Sequence, residues 1–278
     1  MKKLLLLLAA ATAALSSCSH HDSIVNADTT RVQLRLNGDF EVQYSDMTRA
    51  TSLEASAMTD LWIYDYDAAS SELLQRIHLT EGFASPTISL FNGSHSLSII
   101  ASRGTTPSAT DEAVEWQKPH DTFAAITDIT VDGTAVTKSV NLNRRVVRVS
   151  LNILDLIPSE ATTLEWIFSQ WGTALDPATT YAPSTAEYQY LTNMTPMRGM
   201  QNVSVSSYTL APSASAWQTS LSIRVLDADN EPIAEATIPT ISLLQNRTTT
   251  LKGNLFSSDG TLTIGLDDAW IDGTEVTF

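Results

Sequence analysis

The chain has 278 residues, room for one large or two ordinary domains, and 43% apolar with 17% charged residues marks it as globular rather than disordered. It carries 16 basic residues against 31 acidic ones, a formal net charge of −15. That balance opposes nucleic-acid binding, which needs clustered Lys and Arg, and electrostatic docking on an anionic membrane.

Met1-Lys2-Lys3, the apolar run Leu4 to Leu8, small residues from Ala9 and then Leu15-Ser16-Ser17-Cys18 read as an export signal. The run is shorter than the roughly 20 residues that span a bilayer. Cys18 is the sole cysteine, so no internal disulfide forms, and with five scattered histidines it makes no structural zinc site. Leu15 to Cys18 resembles the lipobox of bacterial lipoproteins. The resemblance implies a lipoprotein signal peptide over 1–17, cleavage before Cys18 and acylation of that residue. Two or more acyl chains meet the requirement for stable anchoring. Residues 18–30 are polar and aperiodic, a flexible tether in which His20 and His21 are solvated. Asp22-Ser23-Ile24 and Asp28-Thr29-Thr30 resemble the short O-glycosylation acceptor of Bacteroidetes.

Beyond the tether the pattern has period two. Val32, Leu34 and Leu36 alternate with Gln33 and Arg35; Val147, Val149, Leu151 and Ile153 with Arg148, Ser150 and Asn152; Leu221, Ile223 and Val225 with Ser222 and Arg224. These are half-buried strands. Further short strands are predicted at Ile88–Phe91, Leu97–Ile100, Ile129–Val131, Ile238–Leu244 and Leu262–Leu266. Thr, about one residue in eight, favours a pleated surface. Turns are predicted at Asn92-Gly93, Arg103-Gly104, Asp132-Gly133, Asp229-Asn230, Asp259-Gly260 and Asp272-Gly273. A turn or two of helix is expected at Asp111–Trp116 and Ser159–Phe168, and Ser184–Leu191 is ambiguous. The expected fold is all-β, two tandem sandwiches over 31–156 and 157–278. The boundary is placed at Ile157-Pro158, where proline stops the strand before it.

Chemistry is sparse. There is no Gly-x-Ser-x-Gly elbow, no phosphate loop and no His-Glu-x-x-His helix. Asp227-Ala228-Asp229-Asn230 opens like a calcium loop but continues with Glu231-Pro232, which makes it a hairpin turn. Asp267-Asp268 reads as a solvated turn. Ser94 and His95 are neighbours on a strand and point to opposite faces. No catalytic residue, metal or cofactor is assigned, and the chain is read as a non-enzyme. Trp62, Tyr64 and Tyr66 share one side of a strand. If exposed they would suit sugar stacking in a glycan-binding outer-membrane lipoprotein; if buried they fill a core. The sequons at Asn92, Asn193, Asn202 and Asn246 carry little weight in a bacterial lipoprotein.

Several segments together resemble the fimbrial subunits of Bacteroidales, closest to the minor anchor or accessory branch. They are Asp60–Asp67, Asn92–Leu97 leading to Ala101–Gly104, the Arg-rich Leu142–Val149, and Leu244–Phe256, with the closing strand to Trp270. The resemblance implies two transthyretin-like β-sandwiches on a lipid-anchored, surface-exposed precursor in the outer membrane. It also implies assembly with other fimbrial subunits by strand exchange, in support of adhesion to host or bacterial surfaces. Val32, Leu34 and Leu36 then mark the exchanged first strand, and Val276 and Phe278 a candidate donor strand. In polymerising stalk or tip subunits an arginine-specific protease removes the first strand, and Arg49 is the candidate cut. Anchor members escape that cut.

Overall fold

The computed structural model describes residues 29–38 and 58–257, together with the backbone of 262–267. In chain order the strands are β1 (Thr29–Gly38), β2 (Asp60–Asp67), β3 (Leu73–Leu79), β4 (Thr87–Phe91), β5 (Gly93–Ser102), β6 (Ser108–Ala109), β7 (Val114–Glu115), β8 (Thr122–Val131), β9 (Val136–Arg144), β10 (Val146–Ile153), β11 (Thr163–Trp171), β12 (Ala174–Leu175), β13 (Ala186–Asn193), β14 (Val203–Leu210), β15 (Trp217–Leu226), β16 (Pro232–Leu243), β17 (Thr248–Gly253) and β18 (Leu262–Asp267). The only helix among the described residues is a 3-10 turn at Thr195–Met197.

Seven strands form one sheet in the order β3-β2-β5-β8-β9-β1-β4. β9 is its fold line. It pairs with β8 only at Phe123↔Arg144 and Ala124↔Asn143, then runs parallel to β1 from Val136 to Leu142. The two halves of the sheet enclose a shared core that includes Leu61, Ile63, Leu97, Ile99 and Phe123 from one half and Val32, Leu34, Leu90 and Val140 from the other. A second core lies between the sheets β14-β10-β17-β18 and β13-β11-β15-β16, where Val149 and Leu151 meet Trp166, Phe168 and Ile223. A third apolar cluster joins them. The short ribbon β12-β7-β6 brings Val114, Trp116 and Leu175 against Trp62, Tyr64 and Ile100, with Val146 and Leu210 alongside.

β2 shows why some strands hide from a period-two search. Leu61 and Ile63 face the first core while Trp62 and Tyr64 face the third cluster, so the strand is apolar on both sides. The turns behave as their residues dictate. Gly93, Gly104, Gly133 and Asn230 all take positive φ. Asp227 Oδ1 accepts the amides of Asp229 (2.9 Å) and Glu231 (2.9 Å), which makes the calcium-like segment the β15–β16 hairpin turn.

Three local expectations are corrected. Ser159–Phe168 is not helical: β11 occupies it, with Leu164, Trp166 and Phe168 buried and Thr163, Glu165 and Ile167 less so. Asp111–Trp116 contains β7, and the ambiguous 184–191 segment becomes β13. Finally, β10 does not close the first core. It pairs antiparallel with β14 and parallel with β17, and Ile157 belongs to the second core. The chain passes from β9 to β10 through Arg145 alone. With no glycine or proline there, the two strands read as one, and Pro158 marks only where the next connection begins.

Candidate functional site: the seat of the first strand

β1 alternates as its sequence predicts. Thr30, Val32, Leu34 and Leu36 are at most 4% exposed, whereas Arg31, Gln33 and Arg35 face solvent. Full burial of each Val or Leu is worth about 1.5–3 kcal/mol. The backbone is engaged on both edges. On one side β4 pairs antiparallel from Thr29↔Phe91 to Gln33↔Thr87, and the amides of Leu34 and Leu36 continue onto the carbonyls of Pro86 and Ala84, each at 2.9 Å. On the other side β9 pairs parallel from Val32↔Val136 to Gly38↔Leu142. Side chains reinforce the seat: Thr30 Oγ1 donates to Asn92 Oδ1 (3.1 Å) and Gln33 Nε2 to Ser85 Oγ (3.1 Å).

The seat matters because β9 has little else to hold it. Without β1, β9 would keep only its two-residue pairing to β8, and β4 would lose its only ladder among the described residues. An emptied seat would expose two unpaired edges above an apolar floor, the arrangement that accepts an added strand. Arg49 falls in sequence between β1 and β2 and lies outside the described residues, as do Cys18, Val276 and Phe278.

The Asp60–Asp67 and Asn92–Leu97 segments meet at one buried pair. His95 Nδ1 lies 2.7 Å from Asp65 Oδ1 and its Nε2 lies 2.8 Å from the Phe91 carbonyl, with the ring 2% exposed. Both nitrogens are thus committed inside a packed sheet. Ser94 contacts Thr130 instead, at 3.4 Å. The Arg-rich strand and the Leu244–Phe256 stretch also meet. Arg144 grips Asp121 through Nε (2.7 Å) and Nη2 (3.1 Å), and its Nη1 donates to Asn246 Oδ1 (3.2 Å). Arg103 adds a second cation to Asp121 at 3.1 Å, and Gln245 Nε2 donates to the Arg144 carbonyl at 2.6 Å. Sequence reading missed this clasp, since Asp121 and Asn246 stand far from Arg144 in the chain. Asp155 is a further fastener: its carboxylate accepts the amides of Leu255 (3.1 Å), Phe256 (2.6 Å) and Ser257 (3.0 Å).

The aromatic row is not a platform. Trp62 is 8% exposed and Tyr64 is sealed, its hydroxyl donating to the Thr110 carbonyl at 2.9 Å. Burial pushes the Tyr64 and Tyr66 hydroxyls up to about 12. Trp116, Trp166 and Trp171 are buried as well. Among the described residues no group of three or more His, Cys, Asp or Glu side chains gathers to hold a metal.

A family model spans residues 106–277, more than half of the chain. The chain belongs to the family of unknown function DUF6562. No curated protein matches it. Solved structures share its fold at low identity. A candidate polysaccharide-binding protein (DUF1812) of Bacteroides thetaiotaomicron is 11% identical with a TM-score of 0.55, over 88% of this chain and 98% of the other. A candidate adhesin of Bacteroides ovatus is 12% identical with a TM-score of 0.55, over 89% and 96%. The fimbrial anchor protein Mfa2 of Porphyromonas gingivalis is 11% identical with a TM-score of 0.51, over 89% and 98%. The DUF6562 chain therefore has the all-β sandwich fold found among Bacteroidales adhesins and fimbrial proteins.

Proposed function

We propose that this chain is a non-enzymatic, surface-exposed fimbrial lipoprotein, an anchor or accessory subunit that joins other subunits by strand exchange and supports adhesion. The observation that carries the reading is the seat of β1, a strand paired on both edges whose inward side chains complete the first core. The fold shared with a fimbrial anchor protein supports it. In this reading Cys18 holds the lipid in the outer membrane, and two domains meet at Arg145. The C-terminal segment with Val276 and Phe278 is the strand this subunit would offer. The glycan-binding alternative, although a neighbour of that description shares the fold, loses the exposed aromatic row it required, because Trp62 and Tyr64 are buried.

The test is digestion of the folded precursor with an arginine-specific protease, followed by mass spectrometry of the new N-terminus. Resistance at Arg49, with β1 retained and strand exchange confined to the other end of the chain, is the anchor outcome. A single cut after Arg49 followed by ladders of oligomers would reassign the chain as a polymerising stalk or tip subunit. Cleavage that leaves a monomer unable to take up a strand would sink the strand-exchange reading.

A further inference from the structure

Among the described residues β4 makes its only ladder with β1, yet its other edge is not bare. The amides of Leu34 and Leu36 bond the Pro86 and Ala84 carbonyls, so even-numbered carbonyls of this stretch face β1. By the alternation of an antiparallel pair, the carbonyls of Ser89 and Phe91 face away from it. Side chains from the opposite half of the sheet catch both. Gln75 Nε2, on β3, donates to the Ser89 carbonyl at 2.9 Å, and His95 Nε2, on β5, lies 2.8 Å from the Phe91 carbonyl. A carbonyl only accepts, so Nε2 carries the hydrogen. One carboxylate on β2 ties the two donors together. Asp65 Oδ1 lies 2.7 Å from His95 Nδ1, and Oδ2 accepts Gln75 Nε2 at 3.0 Å. β3 and β4 are the two ends of the seven-stranded sheet, so this network joins them where no described ladder does.

What the network resists is collapse of the seat. β4 runs antiparallel to β1 and β1 parallel to β9, so β4 and β9 are antiparallel to each other. With β1 gone, β4 would be free to swing across by one strand spacing, about 4.8 Å, pair with β9 and close the gap. β9 is held against the same move, because it continues through Arg145 into β10, which β14 and β17 flank on both sides. At β4 the chain link to β5 through Asn92 fixes one end only. The bonds at Ser89 and Phe91 fix the course of the rest, with Ile88 and Leu90 kept in the first core. Asp65 and His95 are buried, and hydrogen bonds to a carboxylate are among the strong ones.

We propose that Asp65, His95 and Gln75 are positioning residues for strand uptake, a brace that holds β4 at its full distance from β9 so that an extended strand of another subunit can enter the seat. The proposal rests on the strand-exchange reading and adds what keeps the acceptor open. The three side chains act through the β4 backbone, whose inner edge supplies the hydrogen bonds to the incoming strand.

The test uses the full chain in detergent, with a site for a specific protease built in beside Arg49. After the cut, a fluorescent peptide with the β1 sequence, residues 29–38, is added in excess and its uptake followed by anisotropy. Wild type should take up the peptide. Gln75→Met keeps the stem but loses the donor, and should weaken uptake by about tenfold. Gln75→Lys restores a donor for Ser89 and Asp65, and should return uptake to within about threefold of wild type. Gln75 is only partly buried, and urea midpoints check that both variants fold. Ile153→Val, in the second core, controls for a general loss of stability and should take up peptide as wild type does. Three results overturn the brace alone: undiminished uptake by Gln75→Met, no rescue by Gln75→Lys, or an equal loss in Ile153→Val. A cut wild type that takes up no peptide sinks the strand-exchange reading and the brace with it.

Discussion

At the scale of single residues, the ionisable groups of the first sheet are placed where their charge has consequences. His120 packs against Gly104, where a Cβ would meet the imidazole at 2.4 Å, so glycine makes room for the ring. Burial, helped by the nearby Lys118 charge, holds the His120 pKa below the ordinary 6.5. The unfolded chain therefore takes up a proton first as pH falls, and stability drains away from about pH 6.5 downward. Urea midpoints of wild type and His120→Gln across about pH 7.5 to 5 should diverge, with wild type losing more; parallel profiles would contradict the assignment. The Asp121 clasp works differently. Its carboxylate is shared by Arg144 and Arg103, so a buried acid and two cations satisfy one another. Little of this was legible beforehand. Arg103 and Arg144 stood in notable segments, but their common partner Asp121 carried no local signal. Arg145 and Tyr181, whose ring lies under its guanidinium, are likewise far apart in the chain and carry no local signal of their contact.

At the scale of elements, β1 offers the cleanest contrast between its two faces. Leu34 is fully buried and Arg35 is exposed. Leu34→Ala should cost about 2–5 kcal/mol in chemical denaturation, and Arg35→Ala within about 0.5 kcal/mol. Equal effects would mean that the strand is not seated as described. β1 was legible because one face is wet, which leaves a strict alternation in the sequence. β11 was not, because Leu164, Ile167 and Phe168 fit a helical spacing as well as Leu164, Trp166 and Phe168 fit a strand. Tertiary pairing with β13 and β15 decided between them. β10 was recognised as a strand and assigned to the wrong core, since alternation names a buried face without naming what covers it.

At the scale of the whole molecule, the third apolar cluster is the feature that turns two cores into one body. Trp116 belongs to it, 4% exposed, with Nε1 donating to Ser102 Oγ at 3.0 Å. Its amide donates to the Thr173 carbonyl (2.9 Å), and at the neighbouring Gly172 a Cβ would stand 2.5 Å from the Leu210 carbonyl oxygen, so the backbones touch. The wild-type chain should therefore melt in one calorimetric transition. Trp116→Ala, costing about 3–5 kcal/mol at the joint, should split it into two. A single shifted peak in the variant would place the coupling elsewhere, with the Arg144 clasp as the next candidate. The fold class was legible at this scale, because short alternating runs and regular turns leave few architectures open. The joint was not, since aromatic residues that could line a surface or a core read alike until their neighbours are known.

The parallel run of β1 along β9 has a mechanical meaning. The chain enters β1 at the Val32 end of the shared ladder and leaves β9 at the Leu142 end. Tension between the N-terminal end and everything after β9 therefore runs lengthwise and strains all the ladder bonds together. Under such a load the strand would have to slide out whole, as a bolt is drawn, rather than peel away one bond at a time.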